Sequence, residues 1–177
     1  MDISNKKHFL TVKDYSVSQE TFDLYHDEDL DMLITYPQPS LENLGKYYES
    51  VDYISHTDSK RSLFEKCYHF IKSIALKNKL NLVNSLQLEK GNILDIGAGT
   101  GDFLSVVKEN GWNTIGVEPS EKAKAIAKKK GVSFVDQTSE LENNSLDVIT
   151  MWHVLEHVPN LDNQIKELKR LLKPNGS

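Results

Sequence analysis

The spacing of apolar residues changes character twice along the chain. Phe22 and Leu24, then Leu30, Met32 and Ile34, alternate with polar neighbours on either side of the run His26-Asp27-Glu28-Asp29. Alternation around a polar run predicts a pair of short strands joined by a turn. Tyr36-Pro37-Gln38-Pro39-Ser40 stops that pattern, because proline withholds a backbone donor. Ser40 is then placed to cap a helix carrying Leu41, Leu44, Tyr47 and Tyr48. From Asp58 the period lengthens. Leu63, Phe64, Cys67, Tyr68, Phe70, Ile71, Ile74 and Ala75 recur at helical spacing, which predicts a helix running to about Leu86 with this stripe toward a core.

After Gly91 strand and helix patterns alternate. Short apolar strands are expected at 92–96, 114–117, 132–135 and 146–151. Between them lie helices around Phe103, Leu104, Val106 and Val107, and from Ser120 to Gly131. A last amphipathic helix holds Ile165, Leu168, Leu171 and Leu172 before Pro174-Asn175-Gly176. Such alternation builds a parallel sheet with right-handed crossovers, a doubly wound α/β fold of about four strands. The chain thus divides into a small N-terminal α+β module (1–58), expected to cap apolar surface on the next domain, a helical connector (59–90) and a ligand-binding core (91–177).

Composition narrows the class. With 177 residues, 38% hydrophobic and 27% charged, the chain suits one compact soluble domain with a small appendage. Its least charged stretch, around Ser145 to Glu156, contains Asp147 and falls far short of the ~20 apolar residues that cross a bilayer. Met1 to Asp14 lacks the apolar core of a signal peptide. The single cysteine, Cys67, excludes an internal disulfide and reads as a packed side chain in the helical stripe, so a cytoplasmic setting is expected. Residues 1–59 carry 12 acidic and 4 basic side chains, and residues 60–177 carry 14 and 17. Only Arg61 and Arg170 are arginines, and nothing marks a nucleic-acid surface.

The chemistry concentrates in Asp95-Ile96-Gly97-Ala98-Gly99-Thr100-Gly101-Asp102, which leaves the first core strand and enters a helix. As a dinucleotide fingerprint, G-x-G-x-x-G, it fails: Asp102 holds the sixth place and the third glycine comes early, at Gly101. Asp95 and Asp102 flank the turn, and two carboxylates repel a pyrophosphate but suit a cationic ligand. Glu118 ends the second core strand, 23 residues after Asp95, where an acid can take both hydroxyls of a ribose.

Taken in order, DIGAGTG, GVEPS and LDVITMWHVLEHV resemble the successive motifs of class I S-adenosylmethionine-dependent methyltransferases, over about residues 91–177. The preceding VKDYSVSQETF and PQPSLENLGKYYESVDYISH resemble the N-terminal extension of a bacterial branch, types 11 and 23. In relatives of that branch the acidic turn often forms a cysteine-rich zinc knuckle; here His26, Asp27, Glu28 and Asp29 stand instead, so no metal is expected. The resemblance implies a Rossmann-like core with S-adenosyl-L-methionine as cofactor. It implies that Asp95, Gly97, Ala98 and Gly99 meet the methionine end, with Gly101 allowing the close turn. Glu118, beside Pro119, would hold the ribose; Asp136 or Gln137 would face the adenine; Met151, Trp152 and His153 would line the cofactor and the transferred methyl. His157 and His153 are the catalytic base candidates for an oxygen, nitrogen or carbon acceptor on a small molecule, imidazole being the side chain suited to proton transfer at physiological pH. His56, Tyr47, Tyr48 and Tyr53 are further residues able to close over the site.

Other readings compete. His153-Val154-Leu155-Glu156-His157 matches the zinc-peptidase pattern H-x-x-E-H, which needs both histidines on a stable helix, whereas Pro159 cuts this one short. A nicotinamide-dependent oxidoreductase is disfavoured by the glycine spacing. A methyltransferase-like binding protein without turnover, or a fragment, is the alternative from another class. In the family a phrase like Leu172-Lys173-Pro174-Asn175-Gly176 introduces a fifth strand, so the fourth is expected at an exposed edge, with self-association through Leu146 to Met151.

Overall fold

The computed structural model describes residues 3–15, 17–40, 43, 47, 63–87 and 89–177, with side chains of the first helix from His69 onward. Two compact units result, Met1–Lys60 and Arg61–Ser177.

In the first unit, β1 (Lys7–Lys13), β2 (Thr21–Asp27) and β3 (Met32–Tyr36) form an antiparallel sheet in that order. The alternation at Phe22 and Leu24 marks β2, whose Leu24 stands opposite Leu10 and whose Tyr25 stands opposite Ile34. Strand β1 has no counterpart in the alternation of the sequence. All seven of its residues are exposed, and a register shift between His8 and Leu10 interrupts its alternation. Leu30, expected in a strand, lies in the turn and is 63% exposed. The turn is set by Asp27, whose Oδ1 accepts the backbone N–H groups of Asp29 (3.1 Å) and Leu30 (3.2 Å). After Ser40, Asn43 N donates to the Ser40 carbonyl at 2.9 Å, a single turn, and most of the helix that Ser40 is expected to cap lies outside the described residues. Leu41, Leu44, Tyr48, Tyr53 and His56 lie outside the described residues.

The second unit runs α1 (Leu63–Leu86), β4 (Asn92–Ile96), α2 (Asp102–Glu109), β5 (Asn113–Val117), α3 (Glu121–Lys129), β6 (Ser133–Phe134), β7 (Val148–Thr150) and α4 (Leu161–Leu171). The parallel sheet has the order β6-β5-β4-β7, so β4 is central and carries its neighbours on both sides. Successive residues of a strand face opposite layers. Ile93 accordingly packs with Val83, Phe103, Leu104, Val107 and Trp112, and Leu94 with Leu146 and Leu171.

Helix α1 ends at Leu86 as its spacing predicts, but its core face differs from the expected stripe. Phe70, Ile71 and Ile74 are 66%, 59% and 45% exposed, while Leu76, Leu80 and Val83 pack on the core. The same side carries Lys72 and Lys79, so apolar content alone pointed to the wrong face; the side chains of Leu63, Phe64, Cys67 and Tyr68 lie outside the described residues.

At its other edge β7 is shorter than its apolar run suggests. Leu146 makes an isolated parallel bridge to Leu172. Ser177 donates to the Asp147 carbonyl (3.0 Å) and accepts from Ile149 N (2.9 Å), so part of the outer edge of β7 is already hydrogen-bonded. Among the described residues no helix is long and apolar enough to cross a membrane.

Candidate functional site

In an open parallel sheet, ligands bind beyond the carboxyl ends of the strands. Here β4, β5 and β7 deliver Asp95, Glu118 and Thr150 to that edge, and all three are buried.

The glycine loop is tied to this edge by its own backbone. Gly97 N and Ala98 N both donate to the Val117 carbonyl (2.8 and 3.1 Å), and Gly99 N donates to Glu118 Oε2 at 2.8 Å. The other oxygen, Glu118 Oε1, accepts from Ser120 N at 2.9 Å. Glu118 is therefore a fixed carboxylate that joins the loop to the start of α3 and keeps further lone pairs for a ligand. Pro119, beside it, is exposed. Gly99 has φ +53° and no atom within 4 Å of where a Cβ would stand, so this part of the loop borders open space. Gly101 is also left-handed (φ +71°), but a Cβ there would come within 2.6 Å of the Ala127 Cβ: its role is close packing of the loop on α3.

Asp95, only 2% exposed, accepts from Thr150 Oγ1 at 2.7 Å. Burial pushes its carboxyl up to about 7, and the nearby Glu118 charge adds to this; the Thr150 hydrogen bond and the charge of Lys79 act in the opposite sense. A carboxyl in this state welcomes a cation that would complete its neutralisation.

Asp102 behaves differently, and here the expectation of two acids facing the ligand is corrected. Lys72 Nζ and Lys130 Nζ each lie 2.8 Å from its oxygens, and Thr100 Oγ1 donates to it at 2.7 Å. Lys130 also donates to the Thr100 carbonyl at 2.7 Å. Burial alone would raise this carboxyl, yet these hydrogen bonds outweigh it and hold it at about 2. Asp102 thus clamps the loop between α1 and the end of α3, and its charge is spent on the two lysines.

The remaining expected residues divide. Asp136 follows β6, is exposed, and pairs with Lys124 at 3.2 Å. Gln137 is exposed and opens a short turn in which its N–H donates to Glu140 Oε1 at 2.8 Å. Met151 and Trp152 follow β7 and are half-buried. The Trp152 ring stands edge-on to Phe103 with centroids 5.5 Å apart, so it packs on the core, and its indole N–H is buried without a hydrogen-bond partner. His153 adopts φ +57°, and its ring, nine-tenths exposed, lies 3.7 Å from Glu156. His157 is exposed at the end of a single 3-10 turn, Leu155–His157. The H-x-x-E-H pentapeptide is therefore a left-handed residue followed by that turn, which lacks the helix on which two zinc-binding histidines would sit.

Two contributors escaped the sequence reading. Thr150 and Lys79 surround Asp95, the first by hydrogen bond and the second by charge. The signal for Lys79 is its position with Lys72 on the face of α1 that otherwise carries Leu76, Leu80 and Val83. Lysines placed on a buried stripe ask for a partner.

A family model for a methyltransferase domain matches residues 59–177. Among curated proteins the chain is similar to a ubiquinone biosynthesis O-methyltransferase of Rickettsia canadensis (strain McKiel), 31% identical over 141 residues, covering 74% of this chain and 60% of that protein. It is also similar to a protein of the same name from Actinobacillus pleuropneumoniae serotype 7 (strain AP76), 32% identical, covering 59% and 53%. The chain therefore spans between half and two thirds of the length of these relatives. Among solved structures, the PH0226 protein from Pyrococcus horikoshii OT3 shares the fold, with TM-score 0.52, 24% identity, and coverage of 60% of this chain and 51% of that one. The chain belongs to the class I S-adenosylmethionine-dependent methyltransferases, in the type 11/23 branch. The donor of that family carries an ammonium, a sulfonium and a ribose. The residues present fit it: a buried, unneutralised Asp95, a backbone-anchored Glu118 and open space at Gly99.

Proposed function

We propose that this chain binds S-adenosylmethionine on the edge formed by Asp95, Gly97, Ala98, Gly99 and Glu118, and that the protein methylates a small-molecule acceptor. The observation that carries the reading is the bond from Gly99 N to Glu118 Oε2 beside the buried Asp95 carboxyl. It fixes a ribose-binding acid and a cation-binding acid on adjacent strands. Gly101 supports the loop from below. Pro119, Asp136 and Gln137 flank the adenine side of the same edge, where their exposure favours an open, adaptable base contact.

When bound, the cofactor supplies a methyl group already activated by its sulfonium, so no covalent group from the protein is needed. The chain's own task is to orient, to exclude water and to handle a proton. Met151 and Trp152 provide half-buried apolar surface after β7. His153 is the favoured base: its left-handed backbone turns the chain at the strand end, and Glu156 lies 3.7 Å from its ring, where it can orient it. His157, on the following turn, is the second candidate. The O-methyltransferase names of the relatives favour an oxygen acceptor, whose hydroxyl proton gives such a base its work.

Calorimetric titration with S-adenosylmethionine, S-adenosylhomocysteine and NAD tests the principal reading. Micromolar binding of the first two, about −8 kcal/mol, weakened at least ~100-fold in Glu118→Ala, is the expected result. Binding of NAD alone, or affinity indifferent to Glu118→Ala, overturns it.

A further inference from the structure

We infer that Arg170 on α4 and Lys124 on α3 are positioning residues: they hold Asp136 and Gln137 in place for the base of the cofactor, and so set its preference for a 6-amino group. The inference rests on the S-adenosylmethionine reading above and adds to it two residues of the flanking helices, neither of them on a strand-end loop.

The connection from β6 to β7 has little regular structure of its own. Strand β6 is two residues long, and the 3-10 turn Thr138–Glu140 follows it. Such a segment keeps a fixed course only if side chains satisfy its backbone groups. Arg170 does this. Its guanidinium donates to the Thr138 carbonyl (3.1 Å), the Leu141 carbonyl (2.9 Å) and Asn143 Oδ1 (2.6 Å), and forks onto the two oxygens of Glu167 at 2.8 Å each. All five of its N–H groups are thus used, which is the full capacity of the side chain. Glu167 in turn is hydrogen-bonded to the Thr138 side chain, so one turn of α4 grips the connection through both backbone and side chain.

This grip falls beside Asp136 and Gln137. Gln137 N donates to Glu140 Oε1 (2.8 Å) within the turn that Arg170 holds. On the other side, Asp136 Oδ1 accepts from Lys124 Nζ at 3.2 Å; the lysine side chain is buried, whereas that of Asp136 is 84% exposed. Glu121 also pairs with Lys124, so two carboxylates share one ammonium and Asp136 keeps part of its negative charge. An ion pair this exposed adds little stability. What it supplies is direction, because a side chain already held loses little freedom when a ligand arrives. An ionised carboxylate only accepts hydrogen bonds. The base it suits therefore carries a donor, as the amino group of adenine does and the carbonyl of hypoxanthine does not.

The test is a residue-by-ligand cycle in calorimetry. Wild type, Arg170→Lys, Arg170→Met and Lys124→Met are each titrated with S-adenosylhomocysteine and with S-inosylhomocysteine, in which a carbonyl oxygen replaces the 6-amino group. Wild type is expected to bind the adenine form at least about tenfold more tightly. Arg170→Lys keeps the charge but lacks the fork that reaches two carbonyls, and Arg170→Met lacks both. In all three variants the preference is expected to fall below about threefold, with affinity for the inosine form changed less than about twofold. A loss shared equally by the two ligands marks a purely structural role and overturns the assignment; an undiminished preference overturns it for the residue replaced. If Arg170→Met does not fold, Arg170→Lys and Lys124→Met decide in the same way. A wild type that binds both ligands alike overturns the assignment and leaves the cofactor reading standing. A wild type that binds neither refutes the cofactor reading itself, and the assignment falls with it.

Discussion

Two buried aspartates, one in each unit, show how differently the same side chain is used. Asp27, 6% exposed at the end of β2, is fully engaged: Lys6 donates to it, and so do the backbone N–H groups of Asp29 and Leu30. The Lys6 hydrogen bond, helped by those N–H groups, outweighs burial and holds its carboxyl below the usual carboxylate range. Asp95, 2% exposed at the end of β4, receives one hydroxyl and is pushed up to about 7. The first is a turn anchor whose charge the protein satisfies. The second is left largely unsatisfied by its surroundings, and it is this residue that the proposed cofactor site would use.

The largest expected effect breaks this contrast directly. A folded-state carboxyl raised from 3.8 to about 7 costs nothing below the unfolded value, costs progressively more as pH rises through that window, and costs its full amount above it. Asp95→Asn should therefore stabilise the ligand-free protein at pH 8, by up to about 4 kcal/mol, while sharply weakening S-adenosylhomocysteine. Asp27→Asn should do the reverse, lowering the melting temperature and leaving affinity unchanged. Thermal melts and titrations of the two variants side by side check both halves.

The second effect is a pH profile. If the ligand's cation needs ionised Asp95, affinity must fall about tenfold per pH unit below 7 and level off above 8. Asp95→Asn should flatten this profile; a flat wild-type profile between pH 5.5 and ~8.5 counts against the role of Asp95.

A smaller contrast lies within the loop. Gly101→Ala forces a left-handed alanine against Ala127 and should cost about 2–4 kcal/mol of stability. Gly99→Ala meets open space and should cost only about 1–2 kcal/mol, yet weaken ligand binding, because its methyl enters the volume the ligand needs. Denaturant melts and titrations separate the two.

What the sequence revealed follows the same division. Elements buried on both sides, such as β4 with Ile93 and Leu94, write their pattern plainly, as do a capped helix start at Ser120 and a left-handed stop at Gly131. Strand β1 stayed hidden because an exposed strand imposes no inside and outside on its residues. The face of α1 was misjudged because exposed Phe70 and Ile71 look like core residues, while Lys72 and Lys79 look like surface. For the site, the acids Asp95 and Glu118 were legible as a spacing. Their partners were not: the Lys72–Asp102–Lys130 clamp spans three helices and depends on contacts distant in sequence.

Ligand chemistry is proposed to belong to the carboxyl edge of the parallel sheet. The most direct test is a titration of isotope-labelled protein with S-adenosylhomocysteine, followed by backbone amide and indole NMR signals. Saturable shifts are expected at Gly97, Ala98, Gly99, Ser120 and the Trp152 indole, with β1 to β3 unmoved. Shifts confined to residues 7–36, or none at millimolar ligand, would contradict it.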